Sequence, residues 1–157
     1  MRWMSDTGGT AERVLASTTY VVLATSDTRG IPWATPVWFA RDGRALYWVS
    51  RPGAQHSRNL AEQPEISLVV FDSQVAVGSA SAFYARARAG LVPDDEITAG
   101  LAVFSREGEV QGIEPWDVDR VTGDAELRLY RATVTDAWVL AEDGGPDRRL
   151  EVPSRWS

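Results

Sequence analysis

The stretch Tyr20–Phe71 constrains the fold more than any other part of this 157-residue chain. It reads YVVLATSDTRGIPWATPVWFARDGRALYWVSRPGAQHSRNLAEQPEISLVVF. Apolar runs rich in Val, Tyr, Trp and Ile alternate with short turn signals, the pattern of consecutive antiparallel strands. Tyr20–Ser26 is the first strand. Asp27-Thr28-Arg29-Gly30 is a turn that uses the permissive backbone of Gly30. Pro32–Ala40 is the second strand, and Pro36 inside it removes a ladder donor. That strand must therefore lie at an edge or be distorted there. Arg41-Asp42-Gly43-Arg44 is a hairpin turn with Asp-Gly at its centre, and Ala45–Ser50 is the third strand. Arg51-Pro52-Gly53-Ala54 breaks the ladder. Gln55–Glu62 is a short helix ended by Gln63-Pro64, and Ile66–Phe71 is the fourth strand. A polar loop that enters a helix beside a sheet can hold an anionic cofactor.

The flanking segments extend this plan. Thr10 is a candidate N-cap for a helix over Ala11–Ala16, with Val14 and Leu15 inward. Ala80–Val92 is a long fifth strand. Pro93-Asp94-Asp95-Glu96 starts a helix with acids at its positive end, running to about Phe104. Arg106–Gly123 reads as a long loop holding Trp116. Leu127–Leu140 is long enough for one strand, or for two joined at Thr135-Asp136. Arg148–Ser157 adds a short strand or a tail. The expected class is mainly β with short α-helices: a six-stranded antiparallel sheet closed into a small barrel, which removes its edges. The apolar residues of the first, third and fourth strands run continuously, which implies burial on both faces. One face is the barrel interior. A helix or a second subunit must cover the other, so a homodimer is expected.

Composition removes several chemistries. The chain has no Cys, which excludes disulfides and thiolate catalysis. All 16 basic residues are Arg, so no lysine Schiff base can form. The single His, His56, cannot build a multi-histidine metal site within one chain, and no metal is expected. A net charge of −6 argues against a general nucleic-acid binder. No apolar run approaches the roughly 18 residues of a membrane span, and MRWMSDTGGT lacks a signal-peptide core. A cytoplasmic protein without membrane or nucleic-acid partners is the expectation. No Ser-His-Asp set and no Gly-rich nucleotide motif can be argued.

The order and spacing of ATPVWF (Ala34–Phe39), SRPGAQHSRNL (Ser50–Leu60), PEISLVV (Pro64–Val70) and AELRLYRATVTDAWVL (Ala125–Leu140) resemble the pyridoxamine 5′-phosphate oxidase-like, FMN-binding split-barrel superfamily. The resemblance covers about Glu12 to Val152. It implies a single FMN-binding split-barrel domain over 1–157, with 1–9 and 153–157 as mobile tails, and a homodimer with two flavin sites at its interface. By matching position, Thr35, Pro36, Val37 and Trp38 face the flavin ring or ribityl chain, largely through backbone atoms. Ser50 bonds the phosphate. Gln55 and His56 stand where family members often carry Arg and Lys, and Arg51 or Arg58 can compensate for the missing charge. Asn59 orders the loop. Trp116 is a candidate to cap a pocket or lie at the subunit interface, and Arg149 to reach the neighbouring subunit's flavin. Trp33, Trp38 and Trp48 also suit a core or an interface.

The resemblance implies an FMN-dependent oxidoreductase acting on a small-molecule redox substrate, the flavin carrying the electrons. A second reading keeps the fold and replaces FMN with a deazaflavin. A third is a non-enzymatic carrier of flavin or haem, with His56 as an axial haem ligand.

Overall fold

A computed structural model of the chain describes residues 6–156. The chain is mainly β with short helices. Its order is α1 (Thr7–Ala16), β1 (Tyr20–Ser26), β2 (Pro32–Trp38), β3 (Ala40–Asp42), β4 (Ala45–Ser50), α2 (Gln55–Glu62), β5 (Glu65–Phe71), β6 (Ala82–Leu91), α3 (Ile97–Val110), β7 (Arg128–Leu140) and β8 (Arg149–Glu151). All strand pairs are antiparallel, in the order β2-β1-β5-β6-β7-β4-β3, with β8 added to β7. The two ends of this order, β2 and β3, are joined through Phe39 alone, so the sheet must curl back on itself. Among the described residues no helix is long and apolar enough to cross a membrane.

The expected count of six strands becomes eight among the described residues. The second expected strand is two, because the backbone N–H of Phe39 donates to Thr19 O (3.1 Å) and the chain turns there from one sheet end to the other. β8 is the other addition. Pro36 lies on β2, an end strand of the sheet, opposite Val22. β7 is one strand rather than two. Arg86 pairs with Asp136 and Ala87 with Val134, which leaves Thr135 as the extra residue of a β-bulge.

The inward phase of the strands builds the main core. Val21 and Leu23 of β1, Ile66, Leu68 and Val70 of β5, and Phe83, Ala85, Ala87 and Ala89 of β6 are buried together with Trp48 and Tyr130. The Trp48 and Tyr130 rings stack 5.8 Å apart. Each fully buried large side chain contributes on the order of 1.5–3 kcal/mol. A second core lies between α3 and the other face of β3–β4, built from Tyr47, Leu101, Phe104, Val121 and Leu129. Gly100 allows that contact: a Cβ there would lie 2.8 Å from Leu129 Cδ2 and 3.0 Å from Tyr47 Cε1.

Three local expectations change. The N-cap of α1 is Asp6, whose carboxylate accepts from Gly9 N (2.9 Å), so the helix starts one turn before Thr10. Parts of both expected tails belong to the fold. Thr7–Gly9 are the first turn of α1, and Trp156 is buried 5.2 Å from Phe83. Arg44 Nη1 also donates to Ser154 O (2.9 Å). Residues 1–5 and 157 lie outside the described residues. Finally, α3 runs to Val110 rather than Phe104. It ends when Gly112, at φ +71°, closes a double bond pattern: Gly112 N to Glu109 O (3.0 Å) and Ile113 N to Gly108 O (2.8 Å).

Candidate functional site

β4 delivers Ser50 to one end of the barrel. Pro52 and Gly53 then break the ladder, and Ala54 N donates back to Arg51 O (3.0 Å) to close a tight turn. α2 starts directly after it. Its N-cap, Ala54, has no side chain to cap the helix. The amides of the first turn, which a helix cannot satisfy internally, are therefore left for another acceptor.

The polar residues of α2 are buried and bonded. Ser50 Oγ lies 2.8 Å from His56 Nε2, and both residues are 9% exposed. Burial pushes the His56 pKa below its ordinary value of 6.5, so the imidazole is neutral near pH 7. Gln55 Nε2 donates to Asn59 Oδ1 (2.9 Å), Asn59 Nδ2 donates to Thr25 Oγ1 (3.0 Å), and Thr25 Oγ1 donates to Trp33 O (3.3 Å). This relay ties α2 through β1 to the backbone of β2. Arg58 donates to Gly53 O and Gln55 Oε1, both neutral oxygens. Arg51 pairs with Glu126 at 2.9 Å, with both side chains largely exposed.

The structure thus brings Ser50, Gln55, His56 and Asn59 into one polar cluster beside β2. It separates others. Along β2 the side chains alternate: Thr35 is half-buried, Pro36 exposed, Val37 buried in the main core and Trp38 half-buried. Four consecutive side chains of a strand do not share a face. Trp38 packs under α3, 4.4 Å from Phe104. The backbone, the exposed Pro36 and the half-buried Thr35 of this segment remain open to a ligand. Trp48 is a fully buried core residue, and Trp33 is exposed. Trp116 docks edge-on against Phe104 (5.5 Å), with the Arg120 guanidinium 3.7 Å above its ring. Arg149 lies on the outer face of the sheet, 4.0 Å over the Tyr84 ring.

Two buried polar residues here were not singled out from sequence. Thr25, 3% exposed, links Asn59 to β2. Its signal was a polar residue on the inward phase of β1, after Val21 and Leu23. Ser57 is 3% exposed, and its Oγ has no hydrogen-bond partner.

A family model for pyridoxamine 5′-phosphate oxidase matches residues 9–140. The chain belongs to the pyridoxamine 5′-phosphate oxidase family. No curated protein matches it. Among solved structures it is similar to a haem-binding protein from Mycobacterium smegmatis, with TM-score 0.70 and 21% identity, over 97% of this chain and 59% of that one. This chain therefore spans less than two thirds of that neighbour. It is also similar to an F420 reductase (TM-score 0.59, 22% identity, 84% of this chain and 96% of that one). An FAD-binding protein from Mesorhizobium loti gives TM-score 0.60 at 18% identity, over 82% of this chain and 90% of that one. These likenesses establish the split-barrel fold of the pyridoxamine 5′-phosphate oxidase family. Neighbours of this fold thus include a haem-binding protein, an FAD-binding protein and an F420 reductase.

Proposed function

We propose that this chain is an FMN-binding oxidoreductase of the cytoplasm, working as a homodimer on a small-molecule redox substrate. The observation that carries the reading is the uncapped start of α2 set beside the buried Ser50–His56 pair and tied to β2 by the Asn59–Thr25 relay. A phosphate fits this donor set. The first-turn amides of α2 offer N–H groups and the positive end of the helix. If His56 carries its proton on Nε2 and donates it to Ser50 Oγ, the Ser50 hydroxyl hydrogen is free to donate to a phosphate oxygen. Arg51 supplies the charge that Gln55 and His56 lack. The exposed Arg51–Glu126 pair is cheap to exchange for a phosphate. FMN, when bound, supplies the two-electron chemistry, and the chain positions it. The backbone of Thr35–Val37 and the face of Pro36 meet the ring.

The dimer reading rests on the outer face of β1, β5 and β6. Tyr20 is 57% and Phe71 45% exposed, and Val22, Val69, Tyr84 and Trp138 are half-buried on the same surface. A second copy covering this face would bring its Arg149 toward the flavin. A deazaflavin on the same site is the alternative, which the likeness to an F420 reductase favours. Haem held by His56 is disfavoured, because its Nε2 is committed to Ser50 in a buried site. The deciding experiment loads the purified chain with FMN, removes free ligand and records the visible spectrum under nitrogen before and after a reduced nicotinamide. Retained flavin bands that bleach support the reading. Retained bands that do not bleach favour a carrier, and no retained flavin overturns the FMN assignment.

A further inference from the structure

α2 also lines a second cavity. A groove of about 910 Å³ lies between the helix and β6–β7, and neither Ser50, Gln55, His56 nor Asn59 lines it. Its charge is inverted relative to the rest of the chain. Arg58, Arg88 and Arg131 line it, and no acidic residue does, although the net charge is −6. The Arg58 charge faces only neutral acceptors. Arg88 and Arg131 pair with Glu65 and Glu96, which lie outside the lining. The Arg88–Glu65 pair is about two-thirds exposed on both sides, and such a pair yields to a competing anion at little cost.

Two further features point to an occupant. Ser57 contributes a buried hydroxyl with no partner, and such groups in native proteins generally have one. Gly90, opposite Arg131 in the β6–β7 register, has no atom within 4 Å of where a Cβ would sit, and its φ is not positive. Neither packing nor backbone conformation requires glycine there, yet its missing side chain keeps the groove open. Much of the remaining lining is apolar, with Pro64 and the exposed Leu91 on it, and Thr133 and Thr135 are polar members.

We propose that this groove binds a small organic anion: a carboxylate on an aromatic or aliphatic stem. The carboxylate sits among the three guanidiniums, which can hold it in bidentate fashion. The stem lies over the apolar floor, and Ser57 donates to the anion or to a water beside it. This site does not depend on the flavin reading.

The test is an amide NMR titration of the full-length, ¹⁵N-labelled chain with 4-phenylbutyrate. Acetate serves as an anion without a stem, and 4-phenylbutanol as a stem without charge. Saturable shifts at Gly90, Arg131 and Ser57 are expected. Both controls should bind about tenfold or more weaker, as expected for losing either the charged fork or the apolar stem. Gly90→Val, which fills the groove, and Arg131→Gln, which removes one fork, should each weaken binding by about the same factor. Arg131→Gln keeps the test alive if Gly90→Val does not fold. Shifts confined to other regions, equal affinity for either control, or affinity unchanged in both variants would overturn the proposal.

Discussion

The two ends of the sheet share a strand type but not a covering. At the β4 end, Leu46, Tyr47 and Trp48 are buried in succession, because the main core takes one face and α3 the other. At the β1–β5 end the inner face is just as buried, but no helix lies over the outer face, and Tyr20 and Phe71 stand exposed. An unbroken apolar run therefore signals a demand for two-sided cover, and the chain meets that demand internally at one end only. The candidate phosphate site joins the two: Ser50 comes from β4, and α2 is tied to β1 and β2.

Breaking the covered end should cost most. Phe104 is 1% exposed and packs between Trp38 and Trp116. Phe104→Ala should destabilise the chain by about 3–5 kcal/mol, measured as urea unfolding at fixed protein concentration. A loss near zero would mean that α3 is not the cover of β3–β4.

At the uncovered end the polar relay replaces such packing. Asn59→Ala removes the bonds to Thr25 and Gln55. A loss of about 1–3 kcal/mol is expected, with weaker FMN binding as the loop loosens. An unchanged midpoint would show that α2 is held by Leu60 alone.

Val69→Asp places a charge on the uncovered face. Sedimentation velocity at micromolar concentration should show a two-chain particle for the native chain. In the variant, self-association should weaken by about tenfold or more, roughly 1.4 kcal/mol, while monomer stability changes little. A native monomer, or a variant that still dimerises fully, would remove the second copy from this face.

A smaller effect comes from His56. Burial lowers its folded-state pKa below 6.5, so the unfolded chain takes up a proton first as pH falls. This contribution to stability is complete above pH 6.5 and is lost progressively as pH drops toward the lowered folded value. In His56→Gln this part of the pH dependence should disappear. Bound FMN should oppose it, because a phosphate dianion favours the imidazolium. A pH profile identical in both proteins would place His56 in a solvated setting. The smallest change is Arg51→Ala. Losing an exposed pair with Glu126 costs about 0–1 kcal/mol of stability, but FMN should bind more weakly.

The succession of strands along the chain and α2 were legible because turn signals and apolar runs are local. Gln55–Glu62 and Ala45–Ser50 have the boundaries that Pro64 and Gly53 dictate. The bulge at Thr135 was half legible, as a possible break in a long strand. Other features depend on contacts distant in sequence. Gly108 sits inside α3 with room for Trp38, and Gly112 terminates the helix. The Asp6 cap was missed because Thr10 offered a cap and residues 1–9 read as a tail. A Cβ at Gly9 would collide with the Asp6 carboxylate at 2.2 Å, so that glycine serves the cap. Ser50, Gln55, His56 and Asn59 were legible as neighbours because one short segment carries them, but the Ser50–His56 bond was not. Only the fold shows that burial lowers the His56 pKa beside Ser50.

The most direct measurement is a paired titration of the chain with FMN and riboflavin, followed by quenching of flavin fluorescence at low and high salt. The two ligands share a ring and differ in the phosphate. If Ser50 and the start of α2 hold the phosphate, FMN binds more tightly by about tenfold or more, the scale of a charged hydrogen bond, and added salt narrows the gap. Equal affinities that salt does not change would contradict the phosphate site.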